Sequence, residues 1–268
     1  MIAIETFPTA DAMGESLARE ILAGLRDAEA AGRTYVLGCP AGRTPLPVYA
    51  ALARGARGLD LGRLHLILMD EFLVRDGEAW RRAPTSAHHS CAGFAMRHLV
   101  ASLPGLPPEN LHVPEPDAPA AYDALIGDLG GIDLFLLASG ATDGHVAFNP
   151  PGTPLDSTTR IVALAQETRQ DNLATFPDFR SLEQVPTHGV SIGLGTIARH
   201  SRAAAMMLHG AHKGPALRRL RSLDRFSPSW PASVVYACRN PRILADAAAA
   251  EAASAPGSKP VVKTPSDH

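Results

Sequence analysis

The chain lacks most of the features that mark secreted, membrane or nucleic-acid-binding proteins. Its 268 residues include only three cysteines, Cys39, Cys91 and Cys238. They are widely spaced, so reduced thiols in a cytoplasmic protein are expected rather than a disulfide framework. Charge of one sign is missing as well: 25 Lys and Arg face 27 Asp and Glu, for a net −2. That balance argues against an electrostatic grip on nucleic acid or on an acidic membrane. No apolar run approaches a transmembrane span, and MIAIETFPTADA has no basic region followed by an apolar core. His88, His89 and Cys91 have no second ligand cluster beside them, so no metal site is expected there. What remains is a globular composition, 46% hydrophobic and 19% charged.

That length suits one large α/β domain or two small ones. With no internal repeat and no linker, a single domain over residues 1–246 is expected. Beyond Asp246 the chain turns Ala-rich and then Ser/Pro/Lys-rich. Residues 247–268 are therefore expected to form a terminal helix and a disordered tail outside the domain.

Met13, Leu17, Ile21, Leu22 and Leu25 recur at helical spacing and predict a helix over about 9–31, stopped by Gly32. A strand at Tyr35-Val36-Leu37 then turns through Ala41 to Thr44 into a helix opened by Pro45. Leu64 to Met69 reads as a strand ending at Asp70-Glu71, and polar residues 74–89 as a long loop of the kind that often forms a lid. A helix is expected over 90–102 and a Pro-rich connector over 104–119. Further strands are expected at 132–138, 160–165, 187–193 and 203–209, the last feeding Gly210-Ala211-His212-Lys213. Val234-Val235-Tyr236 reads as an edge or final strand. Strands alternating with helices predict an α/β, three-layer, Rossmann-like fold: a mostly parallel sheet with helices on both faces.

The segment IDLFLLASGATDGHVAFNPP, Ile132 to Pro151, carries the most chemistry. An apolar run fit for a buried strand breaks at Ser139-Gly140 into a turn holding Asp143-Gly144-His145. An Asp two residues before a His can tune the imidazole as an acid/base near neutral pH. Four polar turns follow four expected strands: Ala41–Thr44, Asp70-Glu71, Ser139–His145 and Gly210–Lys213. In a parallel sheet they converge on the carboxyl edge, where ligands bind. A glycine-containing turn at a helix N-terminus there suits an anion.

On these motifs the chain resembles the glucosamine-6-phosphate deaminase (isomerase) and 6-phosphogluconolactonase superfamily over roughly residues 10–245. The residues that carry the likeness are Leu37 to Pro45, Met69-Asp70-Glu71-Phe72, Ser90 to Phe94, Gly140 to Pro151, Thr168-Arg169-Gln170-Asp171-Asn172, and Gly210 to Lys213. Ala147-Phe148-Asn149 after the Asp-Gly-His favours the deaminase branch.

The resemblance implies conversion of an amino-sugar phosphate to a ketose phosphate and ammonia, with no cofactor and no metal. It implies Asp70 as the base between C2 and C1, and His145, polarised by Asp143, as the ring-opening group. Gly42, Arg43, Thr44, Glu71, Gly140, Arg169 and Lys213 are the expected substrate-binding residues. A small-molecule sugar phosphate is the expected partner, with no nucleic acid and no membrane, in a cytoplasmic protein with room for a homo-oligomer.

Two positions depart from the pattern. Pro150 stands where the family has an acidic residue after Ala-Phe-Asn, and Ala174 where the deaminases carry a phosphate-binding arginine. Arg43, in place of a small residue, offers a guanidinium for the anion. Two alternatives remain at this level. One is a lactonase-like hydrolase, for which the histidine alone suffices to activate water. The other is a non-catalytic sugar-phosphate sensor, against which Asp70 and His145 are both retained and no helix-turn-helix segment precedes residue 10.

Overall fold

A computed structural model describes residues 2–176 and 178–255. Seven strands form one parallel sheet: β1 (Ile4–Phe7), β2 (Tyr35–Cys39), β3 (Leu64–Leu68), β6 (Leu111–His112), β7 (Leu134–Ala138), β10 (Ala204–Leu208) and β11 (Pro241–Asp246). Their spatial order is β1-β11-β10-β7-β2-β3-β6, and every pairing is parallel. From β2 the chain winds outward through β3 to β6. It then returns to lay β7 on the other side of β2 and winds on through β10 and β11. The loops after β2 and β7 therefore flank the point where winding reverses, the usual crevice for a ligand in such sheets.

Strand residues are apolar on both faces, and their alternation assigns them to two cores. Leu37, Leu64, Leu66, Leu134, Leu136, Met207 and Leu244 face α1 (Ala10–Ala30) and α2 (Leu46–Gly55). Val36, Ile67, Phe135, Leu137, Met206 and Ile243 face the opposite layer, which includes α4 (Pro119–Asp128), α6 (Leu194–His200), α7 (Gly214–Arg221) and α8 (Ala247–Ser254). Helix α1 starts where Thr9 caps Ala12 N at 3.1 Å and stops before Gly32, whose φ is 65°. It buries Met13, Leu17, Ile21, Leu22 and Leu25, worth about 1.5–3 kcal/mol for each large apolar side chain.

The strands expected at 160–165 and 187–193 form, but in a second, antiparallel sheet rather than in the parallel one. After Leu68 the chain does not end its strand in a turn. It passes through Met69 straight into β4 (Asp70–Asp76). Strand β4 pairs antiparallel with β5 (Ala79–Arg82) and β9 (His188–Ser191), and β9 with β8 (Arg160–Ala163). The expected lid at 74–89 is thus largely a hairpin. Its two-residue turn at Gly77-Glu78 uses a Gly φ of 60°, and Arg75 packs over the Trp80 ring at 4.1 Å. Helix α3 (Cys91–His98) and α5 (Gln166–Thr175) complete the set.

Three further expectations are corrected. Pro231–Ala237 is a 3₁₀ helix rather than an edge strand, and the final strand is Pro241–Asp246. Proline at its start and a buried Val234-Val235 pair fit either assignment by composition, so only packing decides. The connector after residue 104 ends in helix α4, whose first residue is Pro119. Residues 247–254 belong to the folded domain: Asp246 caps Ala249 N at 2.8 Å, and Arg218 donates to the Ala252 and Ala253 carbonyls. The rest of the expected tail, residues 256–268, lies outside the described residues.

Candidate active site

At the carboxyl edge of the parallel sheet lies a cavity of about 340 Å³. Its wall takes residues from all four strand-end turns: Gly42, Arg43 and Thr44 after β2, Asp70 after β3, Ser139, Gly140 and His145 after β7, and Lys213 after β10. Helix α5 adds Asp171, Asn172 and Thr175. Segments up to about 170 residues apart in the sequence meet here because parallel strands all point the same way.

The turn after β2 is held by its ends. Gly42 takes a φ of 89°, which a side chain would resist, and the space a Cβ would occupy is open. His209 Nε2–H, from the end of β10, donates to the Thr44 carbonyl at 3.0 Å. Arg43 is exposed on the rim, while Lys213 is half-buried and donates to the Ser139 carbonyl at 2.5 Å. Burial holds the Lys213 ammonium below its usual pKa and Arg43 adds to that, whereas Asp171 opposes it. A glycine turn beside a lysine and an arginine is a ready seat for a dianion.

Asp70 sits at the junction of the two sheets, where β4 leaves β3 and pairs with Ser191. Burial pushes its carboxyl up from 3.8 to about 7, against a Cys91 Sγ–H hydrogen bond at 3.2 Å that favours the charge. A carboxylate poised near neutrality, with one face on a cavity, is equipped as a general base.

His145 sits opposite in the wall. Its Nδ1–H donates to Asp143 Oδ1 at 2.7 Å, leaving Nε2 as the nitrogen free to exchange a proton. Asp143 stands behind the histidine and is 8% exposed. Burial works against its charge, but the hydrogen bond and charge of His145 prevail and hold the carboxyl below its usual range. Thr168 Oγ1, from α5, lies 3.4 Å from Asp143 Oδ2 and 3.3 Å from His145 Nδ1. Gly140 is required sterically, since a Cβ there would lie 2.3 Å from His145 Nδ1 and 2.4 Å from Asp143 Oδ1. Next to the dyad, Ala147 holds a φ of 51°, a strained conformation for a residue with a Cβ.

The sequence pattern of glucosamine-6-phosphate isomerases/6-phosphogluconolactonase matches residues 8–244. The chain belongs to this family. Among its relatives, a glucosamine-6-phosphate deaminase of Pseudarthrobacter chlorophenolicus is 39% identical over 81% of each chain. One of Mycolicibacterium smegmatis is 38% identical over 81% of this chain and 80% of its own. Among solved structures, a monomeric glucosamine-6-phosphate deaminase superposes with a TM-score of 0.81 at 24% identity, covering 94% of this chain and all of the other. A 6-phosphogluconolactonase of Shewanella baltica gives 0.67 at 18% identity, over 92% and 98%. These two structures speak for the fold alone.

Within this family frame, two expected binding residues turn away from the cavity. Glu71 follows Asp70 in an extended strand, so its side chain points to the other face. Its carboxylate is fully buried and accepts from Phe72 N, Cys91 N, Ala92 N and Ser90 Oγ, all at 2.8–2.9 Å. It caps the start of α3 and has no capacity left for a substrate. Arg169 Nη2 donates to the Leu182 and Val185 carbonyls at 2.5 and 3.0 Å and ties α5 to the following loop.

The residues missed in their place are Thr168, Asp171, Asn172 and Thr175. They lie at i, i+3, i+4 and i+7, one face of α5, and that spacing was the available signal. Asp143, His145 and Asp171 each offer a ligand atom, all within 4.8 Å of one another. Asp143 and His145 are committed to each other by the 2.7 Å hydrogen bond, and Arg43 and Lys213 already supply positive charge. The trio therefore suits proton handling better than a cation. No helix among the described residues is long and apolar enough to cross a membrane.

Proposed function

We propose that the chain is a glucosamine-6-phosphate deaminase-like enzyme that turns an amino-sugar phosphate into a ketose phosphate and ammonia. The observation that carries this reading is the joint presence, in one cavity, of a buried carboxyl poised at about 7 and a carboxylate-paired histidine. The names of the curated relatives point the same way.

In this reading the phosphate sits against Gly42-Arg43-Thr44 and Lys213, which leaves the C1–C2 end toward Asp70 and His145. His145 takes the proton of the C1 hydroxyl as the C1–O5 bond breaks, and returns it to O5. Asp70 then removes the C2 proton to give the enolamine and delivers it to C1, while one amine proton passes to O1, so the double bond moves from C1–O1 to C2–N as an imine. Addition of water to that carbon expels ammonia and leaves the ketose. The dyad and the base thus serve separate steps, which matches their opposite electrostatic environments. The three cysteines are free and buried, which fits the cytoplasm, where a phosphorylated sugar substrate is retained.

The test is a panel of hexosamine 6-phosphates together with 6-phosphogluconolactone. Ammonia and ketose 6-phosphate released one for one from glucosamine 6-phosphate support the reading. Hydrolysis of the lactone without ammonia from any amino sugar overturns it in favour of a hydrolase.

A further inference from the structure

A second carboxylate faces the dyad, and the family likeness assigns it no role. Pro150 supplies no acid, and neither Glu71, which follows Asp70, nor Asp156, the next acidic residue after His145, reaches the dyad. Glu71 is spent on the start of α3, and Asp156 is exposed and absent from the cavity wall. Asp171 is different. It lines the cavity, and one of its carboxylate oxygens lies within 4.8 Å of both a His145 ring nitrogen and an Asp143 oxygen.

Its placement comes from α5. Thr168 touches both members of the dyad, and one helical turn on, at i+3, Asp171 projects from the same face. The groups around His145 are then Asp143 from its own turn, Thr168 and Asp171 from α5, Asp70 across the cavity, the cations Lys213 and Arg43, and His212, which burial and these cations hold toward its neutral form. The two cations oppose a positive imidazole. Asp143 and Asp171 offset them at close range, while Asp70, which burial holds near neutrality, acts from across the cavity.

We infer that Asp171 is the positioning residue for ring opening, the second carboxylate that stabilises the His145 imidazolium while it carries the C1 hydroxyl proton to O5. The step balances without any co-reactant. The proton leaves O1 for Nε2, the C1–O5 bond breaks with its electron pair passing to O5, and the same proton returns to O5. An anion within about 4–6 Å favours the charged imidazole, and its benefit exists only while that charge exists, which is the condition for raising kcat rather than binding. This inference rests on the proposed deaminase reading for its reaction, but the contact between Asp171 and His145 can be measured without turnover.

The test uses the full chain and the variants Asp171→Asn and Asp171→Glu, the first nearly isosteric on a half-exposed side chain. On glucosamine 6-phosphate, Asp171→Asn is expected to lower kcat about 10²-fold with KM within about twofold, and Asp171→Glu to restore most of the loss. Binding of 2-amino-2-deoxyglucitol 6-phosphate, which has no ring to open, should be unchanged. In NMR titrations the His145 ring resonances should reach their midpoint at lower pH in Asp171→Asn than in the unmodified protein. Unchanged His145 resonances, or an unchanged kcat in an active enzyme, overturn the inference. A lowered KM alone would show that Asp171 only tempers the anion seat, and would overturn it too. If the unmodified protein releases no ammonia, the deaminase reading falls, while the titration still decides whether Asp171 acts on His145.

Discussion

Asp70 and Asp143 are both buried aspartates at strand ends of one sheet, yet their surroundings push them in opposite directions. Asp70 meets a thiol and apolar walls, and its carboxyl rises to about 7. Asp143 meets an imidazole at 2.7 Å, and its carboxyl falls below the usual range. Burial is the largest influence on each, and the difference lies in whether a partner is present to offset it. One aspartate becomes a base that can gain and lose a proton near neutrality. The other stays ionised at neutral pH and orients a histidine. A third acid, Glu71, differs again: surrounded by N–H and O–H donors, it does structural work one residue away from Asp70.

The largest effect that would break this contrast is expected from Asp70→Asn. An amide cannot take the C2 proton, so kcat should fall about 10⁴-fold, the upper end for one acid–base group. In the unmodified enzyme kcat/KM should rise with pH through about 7 as Asp70 ionises. Stability should move the other way. The folded pKa of Asp70 lies above its unfolded value, so its ionisation opposes folding increasingly from about pH 4 up to its folded pKa, by up to about 4 kcal/mol. Asp70→Asn should therefore raise Tm at pH 8 and leave it nearly unchanged at pH 4. Equal gains at both values would mean that the carboxyl is not held near neutrality.

Asp143→Asn should do less to turnover and the reverse to stability. Loss of the anion that fixes the imidazole tautomer should cost about 10²-fold in kcat. Because the folded pKa of Asp143 is depressed, its contribution is present at neutral pH and is lost as pH falls through that folded value. The variant should accordingly have a lower Tm at pH 7, with the gap closing in acid. A variant more stable than the unmodified protein at pH 7 would contradict the pairing.

The smallest change in activity is expected from Glu71→Gln. Kinetic constants on glucosamine 6-phosphate should stay within about threefold, while unfolding by denaturant shows a loss of about 1–3 kcal/mol from poorly satisfied donors. A large rise in KM with stability intact would return Glu71 to the substrate.

Much of this was legible in the residues. Apolar strand runs, helix stops such as Gly32 and the four strand-end turns follow from local periodicity and backbone preference, which a single sequence records. What escaped depended on direction. A chain read as ending its strand at Asp70 instead entered a second sheet, and the period-two alternation of that strand sends Asp70 to the cavity and Glu71 to α3. Arg169 and Asp171 occupy one short element, and their different headings depend on the orientation of α5 against the sheet.

The sequence by itself determined the fold class, the family and the kinds of group present at the carboxyl edge, because these depend on local pattern and on the identity of side chains. Only the tertiary structure decided which acids face the cavity and what charge each prefers. A side chain's heading is set by the packing of its whole element, and its proton affinity by neighbours that are distant in sequence: Cys91 lies beside Asp70, and Thr168 beside His145.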